Sequence, residues 1–247
     1  MGKVIVVASG KGGTGKTTAV GVLSSCLASK GYKTLCIDCD VGMRNLDMIL
    51  GLSEQTAADF GDVLWGGRDL SEACCSHPKI PNLYFLSAPP TAAPEDIDPE
   101  AFRDMIRQIR DTYDYCLIDA PAGVGSGFRL AAQDADMGII VATEDLPSLR
   151  DGQRAAQLLR EAGLADLRLI VNRVRLRHLR KLKTTVDDAI DSVCVQLIGV
   201  VYEDPAVMLA GNQEIPLLRY EKGRRRALGQ FMKIAGRIAG EEIPIAK

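Results

Sequence analysis

The stretch Ser9-Gly10-Lys11-Gly12-Gly13-Thr14-Gly15-Lys16-Thr17-Thr18 decides the fold of this chain. Gly10, four further residues and then Gly15-Lys16-Thr17 have the spacing of a loop that wraps the phosphates of a nucleotide. Its glycines let backbone N–H groups approach the phosphates, because they have no Cβ atom to stand in the way. The loop therefore predicts a nucleotide-binding site, and a glycine-rich turn without a ligand is the alternative.

The residues on either side of this loop support the same interpretation. Lys3-Val4-Ile5-Val6-Val7-Ala8 has the composition of a buried parallel strand, and residues 17–29 have a helical pattern. Lys16 is expected to reach the β- and γ-phosphates, and Thr17 to offer its hydroxyl to Mg²⁺. The loop residues predicted to bind the nucleotide are Gly10, Lys11, Gly12, Gly13, Thr14, Gly15, Lys16, Thr17 and Thr18.

The rest of the chain alternates short apolar runs with helical stretches. This pattern predicts an α/β fold with a single doubly wound, mostly parallel sheet flanked by helices, in one domain that spans residues 1–247. Strands are predicted at 3–8, 33–38, 83–87, 114–119, 137–142, 167–171 and 196–201. Helices are predicted at 17–29, 98–111, 127–134, 147–161, 184–192, 204–211 and 225–239.

Composition restricts the environment in which the chain is expected to work. Seven cysteines, an odd number, and the lack of an export signal at the start predict free thiols in a reducing cytoplasm. A net charge of −2 gives no overall attraction to nucleic acid or to anionic lipid. We therefore expect a cytoplasmic protein, with the inner face of the cell membrane as the alternative location.

Lys11 has no obvious task within its own loop, because Lys16 and Mg²⁺ already supply positive charge to one triphosphate. With this extra lysine the loop resembles that of the deviant Walker-A ATPases, the group that holds the MinD, ParA, Mrp and nitrogenase iron-protein families. The resemblance implies ATP and Mg²⁺ as ligands and a homodimer in the ATP state, in which Lys11 reaches the partner's ATP. Lys11 and Lys16 would then both be catalytic. A solvated surface lysine is the alternative for Lys11.

Within this group the chain resembles the MinD family over nearly its whole length. The similar segments, in order, are Ile37–Asp47 (switch I), Cys116–Gly123 (switch II), Val171–Arg173 and Leu197–Asp204. The resemblance implies an ATPase that regulates the choice of the cell-division site. It also implies a regulatory protein partner of the division inhibitor or activator type.

Three aspartates end or follow predicted strands and are candidates for the chemistry. Asp38 and Asp40 follow strand residues 35–37, and period-two alternation places both carboxylates on one side. By resemblance Asp40 orients the attacking water and Asp38 supports the metal. Asp119 ends another buried strand and is predicted to hold a water bound to Mg²⁺. An N-cap or a solvated loop is the alternative for Asp38 and Asp40.

Four later residues are assigned to the nucleotide by resemblance. Asn172 resembles an asparagine that reads adenine, and its amide offers both a donor and an acceptor. Arg173, Glu203 and Asp204 lie in the matching segments and are predicted to contribute as well. An asparagine that follows a strand is otherwise commonly a turn residue.

The sequence does not decide whether the protein acts on DNA, on a membrane or on a protein surface. A basic run consists of Arg173, Arg175, Arg177, Arg180, Lys181 and Lys183, with His178 among them, and a second run is Arg224-Arg225-Arg226. Such runs are solvated faces, partner surfaces or DNA-backbone patches of the kind found in ParA-like partition proteins. Two rival functions are therefore a DNA or cargo partition ATPase and a nucleotide-dependent scaffold with little turnover.

The last helix bears on membrane binding. Leu228, Phe231, Ala235 and Ile238 form one stripe, which predicts docking on the body of the protein. Lys233 and Arg237 are expected to point away from that stripe. A basic amphipathic helix that dips into a bilayer is the alternative. Because no targeting helix follows, membrane binding is not favoured and would need another element or a partner.

Overall fold

The apolar strand that precedes the glycine-rich loop lies in the interior of an eight-stranded sheet. The computed structural model describes residues 1–41, 45–55, 58–175, 177, 185–222 and 226–245. The strands are β1 (Lys3–Ala8), β2 (Thr34–Asp38), β3 (Cys75–Ser76), β4 (Leu83–Leu86), β5 (Tyr115–Asp119), β6 (Met137–Thr143), β7 (Leu167–Val174) and β8 (Gln196–Tyr202). Their order is β3-β4-β2-β5-β1-β6-β7-β8, and only the edge pair β3 and β4 is antiparallel.

Parallel pairing on both sides fixes β1 in this sheet. Val7 is in register with Asp119 of β5, and on the other side Val7 is in register with Ile139 of β6. Both faces of β1 are covered, and for this reason the strand is a continuous apolar run without polar alternation. The carboxyl ends of β5, β1 and β6 therefore lie side by side at one edge of the sheet, where α/β proteins bind their ligands.

Helices cover both faces of the sheet. They are α1 (Lys16–Ser29), α2 (Leu46–Leu50), α3 (Phe60–Leu64), α4 (Leu70–Ala73), α5 (Pro99–Thr112), α6 (Ser126–Ala132), α7 (Leu146–Glu161), α8 (Val186–Val193), α9 (Pro205–Asn212) and α10 (Arg226–Ile238). Leu23 of α1 and Phe231 of α10 belong to the core on one face, and Phe102 of α5 and Leu159 of α7 to the core on the other. The predicted doubly wound, mostly parallel sheet is confirmed.

The short elements between β2 and β4 were not predicted. Helices of four or five residues are too short to show an apolar period, and in α3 a local capping box helps to define the start. Asp59, for example, accepts a hydrogen bond from the Asp62 amide while the Asp62 side chain accepts one from the Asp59 amide. Strand β7 is also longer than predicted, so that Asn172 lies within the strand and not after it.

The last helix docks on the body of the protein as predicted. Leu228, Phe231, Ala235 and Ile238 are all buried. Arg237, which was expected to point away from that stripe, donates hydrogen bonds from its guanidinium to the carbonyl oxygens of Ile198 in β8, Ile243 and Pro244. Arg237 thus fixes the segment after α10 to the sheet. No helix in the described ranges has the length and apolar character needed to cross a bilayer.

A buried histidine ties the β3–β4 turn to the end of α2. The His77 Nδ1 atom accepts hydrogen bonds from the amides of Lys79 and Ile80, at 3.0 and 3.1 Å. Its Nε2 atom lies 2.9 Å from the carbonyl oxygen of Leu50 and must therefore carry the proton. Burial lowers the pKa of His77, although the hydrogen bond to Leu50 opposes the shift. The ring is accordingly neutral when it fills this site.

Acidification is expected to weaken this link. The lowered pKa means that the stabilisation by neutral His77 is complete above the unfolded pKa of about 6.5 and is lost as the pH falls through the folded value. The free energy of unfolding, measured in urea at about pH 7.5 and about pH 5, should fall more for the wild type than for His77→Gln, which cannot take up a proton. An equal fall in both proteins would contradict this role of the ring.

Candidate functional site

The glycine-rich loop leaves β1 at the carboxyl edge of the sheet and runs directly into α1. Gly13 and Gly15 have φ angles of 80° and 88°, a left-handed conformation that is strained for residues with a Cβ atom. A Cβ atom added at Gly12 or Gly13 would meet nothing within 4 Å. The loop therefore borders open space, as a phosphate cradle requires.

Two side chains of β7 orient the backbone of the loop. Asn172 Nδ2 donates a hydrogen bond to the Thr14 carbonyl oxygen at 2.8 Å, and Arg173 Nη1 donates one to the Gly13 carbonyl oxygen at 3.1 Å. The C=O and N–H of a trans peptide point in opposite directions. With these carbonyls held towards β7, the N–H groups of the following residues point the other way and are available to an anion.

An irregularity in β7 places these two side chains. Val171 pairs with Val200 and Val174 with Tyr202, so that β7 has one residue more than β8 over this interval. Arg173 has a φ angle of 56°, which marks the bulge. Bulges re-aim side chains at the ends of strands, and here Asn172 and Arg173 are brought to the loop.

The predicted catalytic lysine is held by a buried carboxylate. Lys16 Nζ lies 2.5 Å from Asp119 Oδ1, and the two side chains are only 7% and 1% exposed. Burial raises the pKa of Asp119, while the ammonium of Lys16 and the hydroxyl of Thr17 oppose the shift. This pair lies at the ends of α1 and β5, where the sequence predicts the metal and the phosphates.

The other two aspartates surround the same lysine from the end of β2. Asp38 accepts hydrogen bonds from the amides of Asp40 at 2.9 Å, Asn45 at 3.3 Å and Leu46 at 3.2 Å, so it caps α2. Burial, with a contribution from Asp119, raises the pKa of Asp38 to about 6.

Asp40 is half-buried. Burial raises the pKa of Asp40, and the positive charge of Lys16 opposes this shift. Residues 42–44 of the predicted switch I lie outside the described residues.

The Asp38 side chain thus caps α2 from outside the helix, although the residue at the N-cap position is Asn45. The role of Asp38 as a metal-supporting residue stays a prediction, as does the role of Asp40 with the attacking water.

The loop opens into a cavity of about 690 Å³. Its lining includes Gly13, Gly15, Thr17, Thr18, Asn45, Met48, Asn172, Arg173, Glu203, Asp204 and Met208. A cavity of this size is in the range of those that hold small ligands. Most of the residues assigned to the nucleotide by sequence are therefore brought together around one space.

Several of the predicted adenine contacts already have structural partners. Asp204 caps α9 and α10, since it accepts hydrogen bonds from the amides of Ala206 and Ala227, each at 3.0 Å. Glu203 forms an ion pair with Arg175. Asn172 and Arg173 hold the loop, as described above. Whether any of these residues also contacts a base stays a prediction.

Lys11 lies on the other side of β1 from Lys16. Its Nζ atom is 2.9 Å from Asp145 Oδ1, in the segment that joins β6 to α7. The strand order β5-β1-β6 explains the separation, because Lys16 is bound at the β5 side and Lys11 at the β6 side. The sequence did not identify Asp145 as a partner of Lys11. The local sequence Asp145-Leu146-Pro147-Ser148 indicates only that Asp145 stands at the start of a helix.

The residues present fit a nucleotide with Mg²⁺. Thr14 Oγ1 and Asp119 Oδ2 are buried, and neither atom has a hydrogen-bond partner among the described residues. Among these residues no three His, Cys, Asp or Glu side chains form a ready metal cluster. Such an arrangement suits Mg²⁺, which usually takes one or two protein carboxylates and completes its shell with waters and phosphates.

The fold and this loop define a P-loop nucleotide-binding protein. A sequence model described as the CobQ/CobB/MinD/ParA nucleotide binding domain matches residues 5–217. The chain belongs to this family.

Within this family, the chain is similar to several proteins named MinD. The septum site-determining protein MinD of Synechocystis sp. is 37% identical over 245 residues, which cover 99% of this chain and 92% of that protein. The MinC:MinD cell division protein complex of Aquifex aeolicus contains a chain with a TM-score of 0.90 and 34% identity, covering 99% of this chain and 98% of that one. The Pyrococcus horikoshii septum site-determining protein MinD, complexed with Mg-ADP, has a TM-score of 0.85 and 32% identity, with 96% of each chain covered. The resemblance to the MinD family is confirmed.

A substitution can distinguish whether Asn172 holds the loop or contacts adenine. Asn172→Ala leaves the buried Thr14 carbonyl without its partner, so we expect the affinity for ATP and for GTP to fall alike, by about tenfold. Isothermal titration of both nucleotides measures the effect. Asn212→Ala, at another asparagine that lines the cavity, is the matched control. A loss confined to ATP would instead favour contact of Asn172 with the base.

Proposed function

We propose that this protein is an ATP-dependent, dimerising ATPase switch of MinD type that regulates the choice of the cell-division site. The observation that carries the proposal is the arrangement of Lys11 and Lys16, two ammonium groups of one loop that are held on opposite sides of β1. A single bound triphosphate needs the lysine on the β5 side. The other lysine is then left for a phosphate that the same chain does not bind.

Lys16 and Asp119 would act first in such a switch. A bound triphosphate competes with Asp119 for the Lys16 ammonium, because both are anions at hydrogen-bonding distance. Transfer of Lys16 to the phosphates leaves the buried Asp119 carboxylate without its cation. Thr17 and Asp119, with Asp38 in support, would hold Mg²⁺, which supplies charge neutralisation at the phosphates.

Asp40 is the residue best placed to orient the attacking water. It is half-buried, it lies in the field of Lys16, and it follows β2 at the edge of the sheet where the loop opens. A carboxylate in this position accepts a hydrogen bond from water and turns the water oxygen towards the phosphorus atom. Lys11 of a second copy would neutralise the charge that develops during the displacement.

The relatives support further parts of the proposal. One structural neighbour is a MinC:MinD complex, and we propose a regulatory protein partner of that kind for this chain. All seven cysteines are free thiols, which supports a reducing cytoplasm as the place of action. ATP would then be used for timing, since the nucleotide state sets the affinity for the second copy and for the partner.

The Asp40 assignment provides the test. Asp40→Ala should bind ATP, release phosphate about 100-fold more slowly because the water is not oriented, and accumulate as a dimer of twice the monomer mass. Phosphate release and light scattering with ATP measure both effects. Lys16→Ala is the control that should neither bind nucleotide nor dimerise. An Asp40→Ala protein that stays monomeric with saturating ATP contradicts the proposed switch, and phosphate release at the wild-type rate contradicts the role of Asp40.

A second candidate function is a DNA partition ATPase. Arg175, Arg177, Arg226 and Lys233 line one hollow of about 730 Å³, so that residues far apart in the sequence form a common basic surface. Arg180, Lys181, Lys183 and His178 of the predicted patch lie outside the described residues. Arg175 is also paired with Glu203, which lowers the net charge of this surface.

Binding to random duplex DNA distinguishes the two functions. A partition ATPase should bind such DNA with ATP, and its affinity should fall steeply as salt is raised. For a MinD-type switch we expect no ATP-dependent binding even at low salt. Fluorescence anisotropy with a labelled duplex measures this, and Lys233→Ala together with Arg226→Ala tests whether any binding uses the hollow.

A further inference from the structure

The carboxylate of Asp145 is fixed at the junction of β6 and α7. Its Oδ1 atom accepts a hydrogen bond from the Ser148 amide at 3.1 Å, which makes Asp145 the N-cap of α7. Its Oδ2 atom accepts a hydrogen bond from the Thr143 hydroxyl. The Ser148 hydroxyl in turn accepts one from the Thr143 amide at 2.9 Å. Asp145 is therefore a preorganised acceptor, and Lys11 binds to a group that is already in place.

The loop that carries Lys11 packs closely on the same helix. A Cβ atom at Gly10 would lie 2.1 Å from the carbonyl oxygen of Asp151, so only glycine permits this approach. The backbone of Lys11 is also tied, because its carbonyl oxygen accepts a hydrogen bond from the buried Ser9 hydroxyl at 2.9 Å. Release of Lys11 from Asp145 is thus most easily a movement of the long side chain alone.

A change of pH does not open this contact under ordinary conditions. Partial burial of Asp145 acts to raise its pKa, but the hydrogen bonds from Thr143, Lys11 and the Ser148 amide outweigh it and lower the pKa to about 2. The carboxylate is ionised at neutral pH. Another anion is therefore needed to draw the ammonium away.

We propose that Asp145 is a positioning residue, which binds Lys11 in the single chain. This ion pair must break before Lys11 can bind phosphates held by a second copy. The inference rests on the proposed function, because it assigns the cost of dimerisation to a contact that Lys11 makes within its own subunit. Asp145 would then set the concentration at which ATP-bound chains associate. It would also keep the Lys11 ammonium away from the nucleotide bound to its own loop.

The size of the effect follows from the exposure of the pair. Lys11 and Asp145 are both partly exposed, and ion pairs of this kind are weak. Two such pairs break for each dimer that forms, one in each chain. Asp145→Asn should therefore tighten the dimer by about 2-fold to 30-fold.

The experiment measures the dimer dissociation constant by sedimentation, with Mg²⁺ and a nonhydrolysable ATP analogue so that turnover does not contribute. Asp145→Asn removes the charge and keeps an N-cap for α7, since asparagine caps as well as aspartate. Asp145→Ser, also a good N-cap, is the second neutral variant in case the first folds poorly. Asp151→Asn is the matched control, because it removes the same charge from α7 next to the loop but not from Lys11.

Two further variants, Asp145→Glu and Lys11→Ala, are measured in the same way. Asp145→Glu keeps the carboxylate, and its dissociation constant should return towards the wild-type value. Lys11→Ala should not dimerise. We expect tightening in both neutral Asp145 variants and little change in Asp151→Asn.

The outcomes separate the two proposals. If Lys11→Ala dimerises like the wild type, or if no protein dimerises, the proposed function fails, and the role of Asp145 fails with it. If Lys11→Ala loses the dimer while the neutral Asp145 variants match the wild type or Asp151→Asn, the proposed function stands. Asp145 would then be only a helix cap.

Discussion

Parallel hydrogen bonding of β1 to β5 on one side and to β6 on the other is the interaction on which the rest of this structure depends. It places the glycine-rich loop between the ends of two neighbouring strands, one of which ends in a carboxylate while the other is followed by one at the same edge of the sheet. Lys16 is bound by the carboxylate at the end of β5, and Lys11 by the one that follows β6. The opposite placement of the two lysines is thus a consequence of strand order.

In both lysine pairs a carboxylate of the protein binds an ammonium group that could otherwise bind a phosphate. The two pairs differ in burial, and burial decides how strongly each is held. The Lys16–Asp119 pair is removed from water, so that separation without a replacement anion leaves buried charge uncompensated. The Lys11–Asp145 pair is partly exposed, and water compensates for its loss. In the proposed function, the nucleotide is therefore tightly linked to Lys16, and the second subunit is more loosely linked to Lys11.

The loop also depends on a strand that lies two places away in the sheet. Asn172 and Arg173 of β7 hold two loop carbonyls, and a bulge opposite β8 directs them there. The sequence identified both residues through their resemblance to a family segment, but assigned Asn172 to the adenine and Arg173 to the nucleotide in general. Their bonds to the loop join positions that are 158 and 160 residues apart. Neither periodicity nor local spacing contains information on such a contact.

The sequence by itself determined the phosphate loop, the parallel α/β sheet and the three aspartates that end or follow strands. These depend on local spacing, on apolar runs and on the alternation of strands with helices, all of which can be recognised in stretches of consecutive residues. Only the tertiary structure decided that Asp38 caps α2, that Asp204 caps two helices and that Lys11 is bound by Asp145. Side-chain partners of this kind are set by which chain segments meet at the edge of the sheet. That meeting depends on strand order and on the packing of the whole core, which no short stretch of sequence specifies.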